Sequence, residues 1–136
     1  MKKPNLVVDA VIIKDKKVLL IKRKYPAFKG WWALPGGFVD YGETVEKAVV
    51  REAKEETGLN VQIKRLLGVY SDPKRDPRGH NISVVFLCDV KSGKINNKTN
   101  ETLDCRFFSQ KELNKIKIAF DHRKIIRDAL KNLKHK

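Results

Sequence analysis

Thiols, long apolar runs and clustered arginines are all scarce in this chain, and each shortage closes off a class of function. No stretch approaches the roughly 18 consecutive apolar residues of a membrane span. The opening Met1-Lys2-Lys3-Pro4-Asn5 carries two lysines, and the apolar run behind it is broken at Asp9 and again at Lys14-Asp15-Lys16-Lys17. A secretory leader needs a longer clean run and a small-residue cleavage site. The expected location is therefore cytoplasmic, with no membrane partner. The two cysteines, Cys88 and Cys105, form no C-x-x-C pattern, which speaks against zinc or dithiol chemistry. They read as small buried hydrophobes, since a cytosolic chain disfavours a disulfide. Only 8 of the 30 basic residues are arginine, and the 22 lysines are scattered. Nucleic-acid binding more often shows clustered arginine beside exposed aromatics, so a nucleic-acid partner is not expected. There is no internal repeat and no low-complexity linker.

What remains is an ordinary globular composition, 41% hydrophobic and 34% charged over 136 residues. That is one domain's worth, spanning 1–136, and enough to bury a core. The net charge is +14, but it is unevenly spread. Residues 37–59 hold six carboxylates (Asp40, Glu43, Glu46, Glu52, Glu55 and Glu56) against Lys47, Arg51 and Lys54. The segment is thus −3 and the rest of the chain +17. An acidic island in a basic protein suggests a cation site whose partner is an anion.

Leu6 to Ile13 is rich in β-branched residues and reads as a strand, Lys14–Lys17 as a turn, and Val18 to Ile21 as the returning strand of a hairpin. Pro26, Gly30, Pro35, Gly36 and Gly37 mark a loop region. Thr44 to Thr57 reads as a helix with Val45, Ala48, Val49 and Ala53 as its apolar stripe, Thr44 as N-cap and Gly58 in the C′ position. Val61–Tyr70 and the strongly apolar Ile82–Val90 read as strands, the second of them central. Polar loops span Ser71–Gly79 and Lys91–Glu101. Cys105–Phe108 is a short strand, Ser109 with Glu112 fits a capping box, and Asp121–Lys134 is a final helix. This order predicts an α+β domain, a mixed β-sheet sandwiched between α-helices in an α/β/α arrangement.

Chemistry concentrates in Gly37-x5-Glu43-x7-Arg51-Glu52-Ala53-x-Glu55-Glu56-x-Gly58-Leu59. Glu52, Glu55 and Glu56 stand at i, i+3 and i+4, so one helix face carries all three carboxylates. Taken alone, such a cluster is usually a solvated acidic face. A hard divalent cation would relieve its repulsion, and oxygen ligands with room for water and phosphate suit Mg²⁺. Gly36-Gly37 allows close backbone approach, and a carbonyl there could add a ligand.

The whole pattern resembles the box of the Nudix hydrolases, and every fixed position matches. Ala53 is the one soft departure, being small where a bulky apolar residue is usual. Trp32-Ala33-Leu34-Pro35-Gly36-Gly37-Phe38-Val39 is similar to the family's run into the box. The resemblance implies the Nudix fold and Mg²⁺-dependent hydrolysis of the diphosphate in a nucleoside diphosphate derivative, with Mn²⁺ as a substitute metal. It implies that Glu52, Glu55, Glu56 and the Gly36 carbonyl bind metal. It also implies that Arg51 orients the carboxylates and pairs with Glu43, as a guanidinium fork can. The general base is left open between Glu101, placed where the family puts a loop glutamate, and the box residues Glu52 or Glu55. A homodimer is common in the resembling group.

Ser71–His80 narrows the substrate. Pro73 and the run Arg75-Asp76-Pro77-Arg78-Gly79-His80 resemble the loop of the ADP-ribose pyrophosphatases, and Phe120-Asp121-His122 is similar to that group as well. The implied products are AMP and ribose 5-phosphate. Two prolines hold the loop while Arg75 and Arg78 offer forks to phosphate. Among Tyr25, Phe28, Trp31 and Trp32, core packing is the default. Stacking on adenine, by Phe28 or Trp32 foremost, is the functional alternative. His80 and His122 read as hydrogen-bonded structural residues and His135 as a solvated one. Rival activities are hydrolysis of an oxidised dGTP, removal of pyrophosphate from an RNA 5′ end, and non-catalytic sensing of ADP-ribose. The sensing modules often carry a degraded box, and this one is intact.

Overall fold

A computed structural model describes residues 1–134; His135 lies outside the described residues. The elements are β1 (Asn5–Lys14), β2 (Lys17–Arg23), β3 (Trp32–Ala33), β4 (Gly36–Phe38), α1 (Val45–Thr57), β5 (Leu59–Tyr70), β6 (Asn81–Gly93), β7 (Thr102–Phe108), α2 (Gln110–Leu113) and α3 (His122–Lys134). They build an α+β domain in which helices flank a mixed sheet. No helix among the described residues is long and apolar enough to cross a membrane.

The sheet is organised by β1 and β2. These two strands pair with each other only beside their turn, at Ile13↔Val18 and Lys14↔Lys17. Beyond it they diverge, so the expected hairpin is confined to its tip. β1 then pairs antiparallel with β4 and parallel with β6, and β6 carries β5 antiparallel. β2 instead takes β3 and β7, both antiparallel.

Alternate residues of β1 and β6 enter two different cores. Val8, Ala10, Ile12, Phe86 and Cys88 pack with Ala48, Val49 and Ala53 of α1. Val11, Val85 and Leu87 pack with Ile125, Ile126 and Ala129 of α3. A sheet buried on both faces needs apolar side chains at successive positions, which is why both strands read as nearly continuous hydrophobic runs, interrupted in β1 by Asp9. β6 extends to Gly93, past the expected end at Val90, because its backbone keeps pairing with Leu59 and Asn60 whatever the side chains. β7 likewise begins at Thr102 through its pairing with β2. Cys88 and Cys105 are buried and unpaired.

The helix ends follow their local chemistry. Thr44 accepts the Lys47 N–H at 3.1 Å as N-cap, and Ser109 with Glu112 forms the capping box. Gly58 closes α1 at φ 83°, in the left-handed region. A Cβ there would also collide with the Lys94 carbonyl. Gly58→Ala is expected to lower unfolding stability by more than about 1 kcal/mol, as a shift in the urea midpoint at unchanged slope. An unchanged midpoint would show that the turn accommodates a side chain.

Candidate active site

The floor and walls of one cleft, about 550 Å³ in volume, gather residues from both halves of the sheet. α1 contributes Glu52, Glu55 and Glu56, and the loop before β7 contributes Glu101. One carboxylate oxygen from each of Glu52, Glu56 and Glu101 lies within 4.8 Å of the others. Glu55 stands outside this group, with its side chain half exposed and both oxygens 3.3 Å from Nη1 of Arg51. The structure therefore brings two box glutamates together with the loop glutamate. Burial raises the pKa of Glu52 and pushes that of Glu56 well above the ordinary value, and the neighbouring carboxylates add to both shifts. Desolvated like charges of this kind are relieved by a divalent cation. The oxygen-only donor set suits a hard cation.

Arg51 fixes this geometry. Its fork grips Glu43 through Nε to Oε2 at 2.7 Å and Nη2 to Oε1 at 2.9 Å. Nη1 donates to Glu52 at 2.9 Å, and Nη2 also donates to the Phe38 carbonyl at 3.0 Å. The hydrogen bonds from Arg51 hold the Glu43 carboxyl down at about 2. The glycines matter because of what they lack. The Gly36 N–H donates to Glu56 Oε1 at 2.8 Å. A Cβ on Gly37 would stand 2.6 Å from the Glu52 carboxylate.

The loop between β5 and β6 supplies the opposite wall. Arg75, expected as a free fork for phosphate, is almost fully buried and its fork is occupied. It donates to Asp121 through Nε at 2.9 Å and Nη2 at 2.7 Å, and to the Asn81 carbonyl at 3.2 Å. Arg78 forks onto Asp76 at 3.1 and 2.8 Å, yet its side chain stays 46% exposed over the Phe120 ring. Arg78 and Asn81 together hold the Asp76 carboxyl at about 2 against the effect of burial. Arg23, which sequence reasoning did not single out, lies over the same ring at 4.9 Å. It donates to the carbonyls of Ala27, Tyr25 and Pro26 and has no carboxylate partner among the described residues.

Neither aromatic expected against a base lines the cleft. Trp32 is 6% exposed and packs edge-on to Phe108 at 4.7 Å in the core. Phe28 sits behind the wall, between Trp31 at 5.0 Å and Phe120 at 4.9 Å. The phenyl and phenol residues that do line the cleft are Tyr25, Phe38 and Phe120. The Tyr25 hydroxyl donates to the Asn100 carbonyl at 3.3 Å, joining the loop after β2 to the loop that carries Glu101.

Asp9 was overlooked as a site residue, and His122, expected as a hydrogen-bonded structural residue, makes that bond and lines the cleft as well. Asp9 faces away from α1, accepts the Ser83 hydroxyl, and is pushed by burial to about 7. His122 accepts the Leu34 N–H on Nδ1 at 3.0 Å, and burial lowers it to about 3, so the ring is neutral. A lone acid inside an apolar strand was the available signal for Asp9.

Carboxylates converging under a cationic wall make this a metal-competent, phosphate-sized cleft of the Nudix type. The NUDIX domain family matches residues 3–129, and the chain belongs to that family. It is 57% identical over 129 residues to an ADP-ribose pyrophosphatase of Methanocaldococcus jannaschii, covering 94% of this chain and 74% of that protein. The fold superposes with a TM-score of 0.87 on the NUDIX domain of Shewanella oneidensis NrtR complexed with ADP ribose, at 29% identity, covering 98% of this chain and 90% of the other. A bifunctional NMN adenylyltransferase/ADP ribose pyrophosphatase of Francisella tularensis, complexed with AMP and a Mn ion, gives 0.88 at 29% identity. There the match covers 97% of this chain and 42% of that one.

Gly37→Ala is expected to displace the Glu52 carboxylate while leaving the fold intact. Mn²⁺ affinity measured by calorimetry should fall by about tenfold or more. Unchanged affinity would show that Glu52 does not need the space the glycine leaves.

Proposed function

We propose that this chain hydrolyses ADP-ribose to AMP and ribose 5-phosphate with Mg²⁺, and that Mn²⁺ can substitute. The observation that carries the reading is the convergence of Glu52, Glu56 and Glu101 in a cleft walled by Arg23, Arg78 and Phe120. The M. jannaschii and S. oneidensis relatives supply the substrate by likeness. The cleft volume falls in the range of small-molecule sites.

In this reading Glu52 and Glu56 hold the metal, with Glu55 and the Gly36 carbonyl as further ligands. Bound there, the metal would supply Lewis-acid charge for the diphosphate and for activating a water. Arg51 positions Glu52, and through the grip on Glu43 it resists the repulsion among the box glutamates. Arg23 and Arg78 offer positive charge to the phosphates. Glu101 is the favoured base, because it joins the cluster from an exposed loop while Glu55 is turned toward Arg51. Water oxygen bonds to one phosphorus, the bridging P–O bond breaks toward the other phosphate, and the water's proton passes to the base.

Two measurements test this. ADP-ribose should exceed an oxidised dGTP in kcat/KM by at least about tenfold, in a panel that also includes NADH, dinucleoside polyphosphates and RNA bearing a 5′-triphosphate. Equal activity on the first two defeats the substrate reading and leaves the family untouched. Binding of ADP-ribose without turnover marks a sensor. Glu56→Gln should cut turnover by about 10²-fold or more at unchanged melting temperature. A loss of only a few-fold would remove Glu56 from the metal site.

A further inference from the structure

Asp9 and His122 both line the cleft, yet they are only 7% and 4% exposed. Because His122 Nδ1 accepts the Leu34 N–H, the proton of the neutral ring sits on Nε2. Asp9 Oδ2 is taken by the Ser83 hydroxyl. With Asp9 ionised, that leaves one donor, His122 Nε2–H, and one acceptor, Asp9 Oδ1, separated by 3.8 Å. This is too far for a hydrogen bond between them. Neither atom has another partner among the described residues. No buried side-chain nitrogen or oxygen among those residues lacks a partner, so both atoms open onto the cleft.

A donor and an acceptor at this spacing select for one kind of group. A phosphate or carbonyl oxygen would accept from the histidine but repel the carboxylate. An ammonium would suit the carboxylate but oppose the N–H. An O–H oxygen does both, accepting from Nε2 and donating to Oδ1, so the place suits a water that a hydroxyl of the ligand can replace. The pair also lies beside the reacting region. Asp9 Oδ1 lies against the space a Gly36 side chain would fill, and the Gly36 N–H holds Glu56.

We propose that His122 Nε2 and Asp9 Oδ1 together read one ribose hydroxyl of the substrate, and so hold that sugar against the glutamate cluster. The proposal rests on the ADP-ribose reading. It makes the pair a specificity determinant that a triphosphate substrate would engage differently. ADP-ribose has two sugars, and hydroxyls of either have the required chemistry.

His122→Asn is the informative change. An asparagine oxygen can keep the Leu34 N–H partnered in place of Nδ1, while the Nε2–H donor is lost. Wild type and H122N are compared on ADP-ribose and on analogues each lacking one hydroxyl, in the nucleoside ribose or in the terminal ribose. Wild type should lose about tenfold or more in kcat/KM on one analogue. H122N should lose a similar factor on ADP-ribose itself and less than about threefold more on that analogue, because the two deletions remove one interaction. The analogue that shows this coupling identifies the sugar. Calorimetric binding of ADP-ribose in metal-free buffer should weaken in parallel. Equal discrimination by the two proteins on every analogue, or unimpaired hydrolysis by H122N, overturns the pair. Wild-type inactivity on ADP-ribose overturns the substrate reading and the pair together. If H122N does not fold, Asp9→Asn serves instead, since it can keep an acceptor for Ser83 and presents a donor where the acceptor was. The same coupling is expected for D9N, and its absence is equally decisive.

Discussion

Glu56 carries its carboxyl into the protein beside two others, and the rest of the site is built against that electrostatic cost. Burial and like charge both favour the protonated form, so without compensation the cluster would protonate or splay. Two devices oppose this. A backbone N–H from Gly36 anchors Glu56, and the Arg51 guanidinium ties Glu43, Glu52 and Glu55 together. Neither device neutralises the face that Glu52, Glu56 and Glu101 present to the cleft. That remaining charge makes the cluster capable of coordinating a divalent cation.

Much of the fold was legible because it obeys local rules. Thr44 and Gly58 bound α1 as caps, Ser109 and Glu112 close the capping box, and the β-branched runs of β1 and β6 announce strands buried on both faces. The divergence of β1 from β2 was not legible. Hairpin pattern and turn are the same whether two strands pair for their whole length or only at the tip. The outcome depends on which other strands compete for their edges. The ends of β6 and β7 were misjudged for a related reason, since backbone pairing continues through polar side chains.

The candidate site divides in the same way. The glutamates of α1 share a face by helical spacing alone, so the sequence places them. The arginines are another matter. Residue type announces a fork but not its occupant, and the occupants come from distant positions: Asp121 for Arg75, Asp76 for Arg78. Arg23 was passed over because it ends a strand without any motif, and its lack of a carboxylate partner among the described residues is visible only in three dimensions. Trp32 illustrates the converse. A tryptophan beside a functional loop invites a stacking role, yet its pairing across β2 and its contact with Phe108 commit it to the core.

The contact between Tyr25 and Asn100 carries a consequence for kinetics. Glu101 is delivered by a loop, while Glu52 and Glu56 are delivered by a helix packed on the sheet. Glu101 stays beside Glu52 and Glu56 only while its loop is held in place, so the position of the loop and the geometry of the site are coupled. The tether across the mouth is one long, exposed hydrogen bond between Tyr25 and a backbone carbonyl, and water can replace it at little cost. Movement of the loop would break the hydrogen bonds that Thr99 makes with Glu101 and Thr102 as well as that latch, and these local bonds would set how fast Glu101 leaves the cluster.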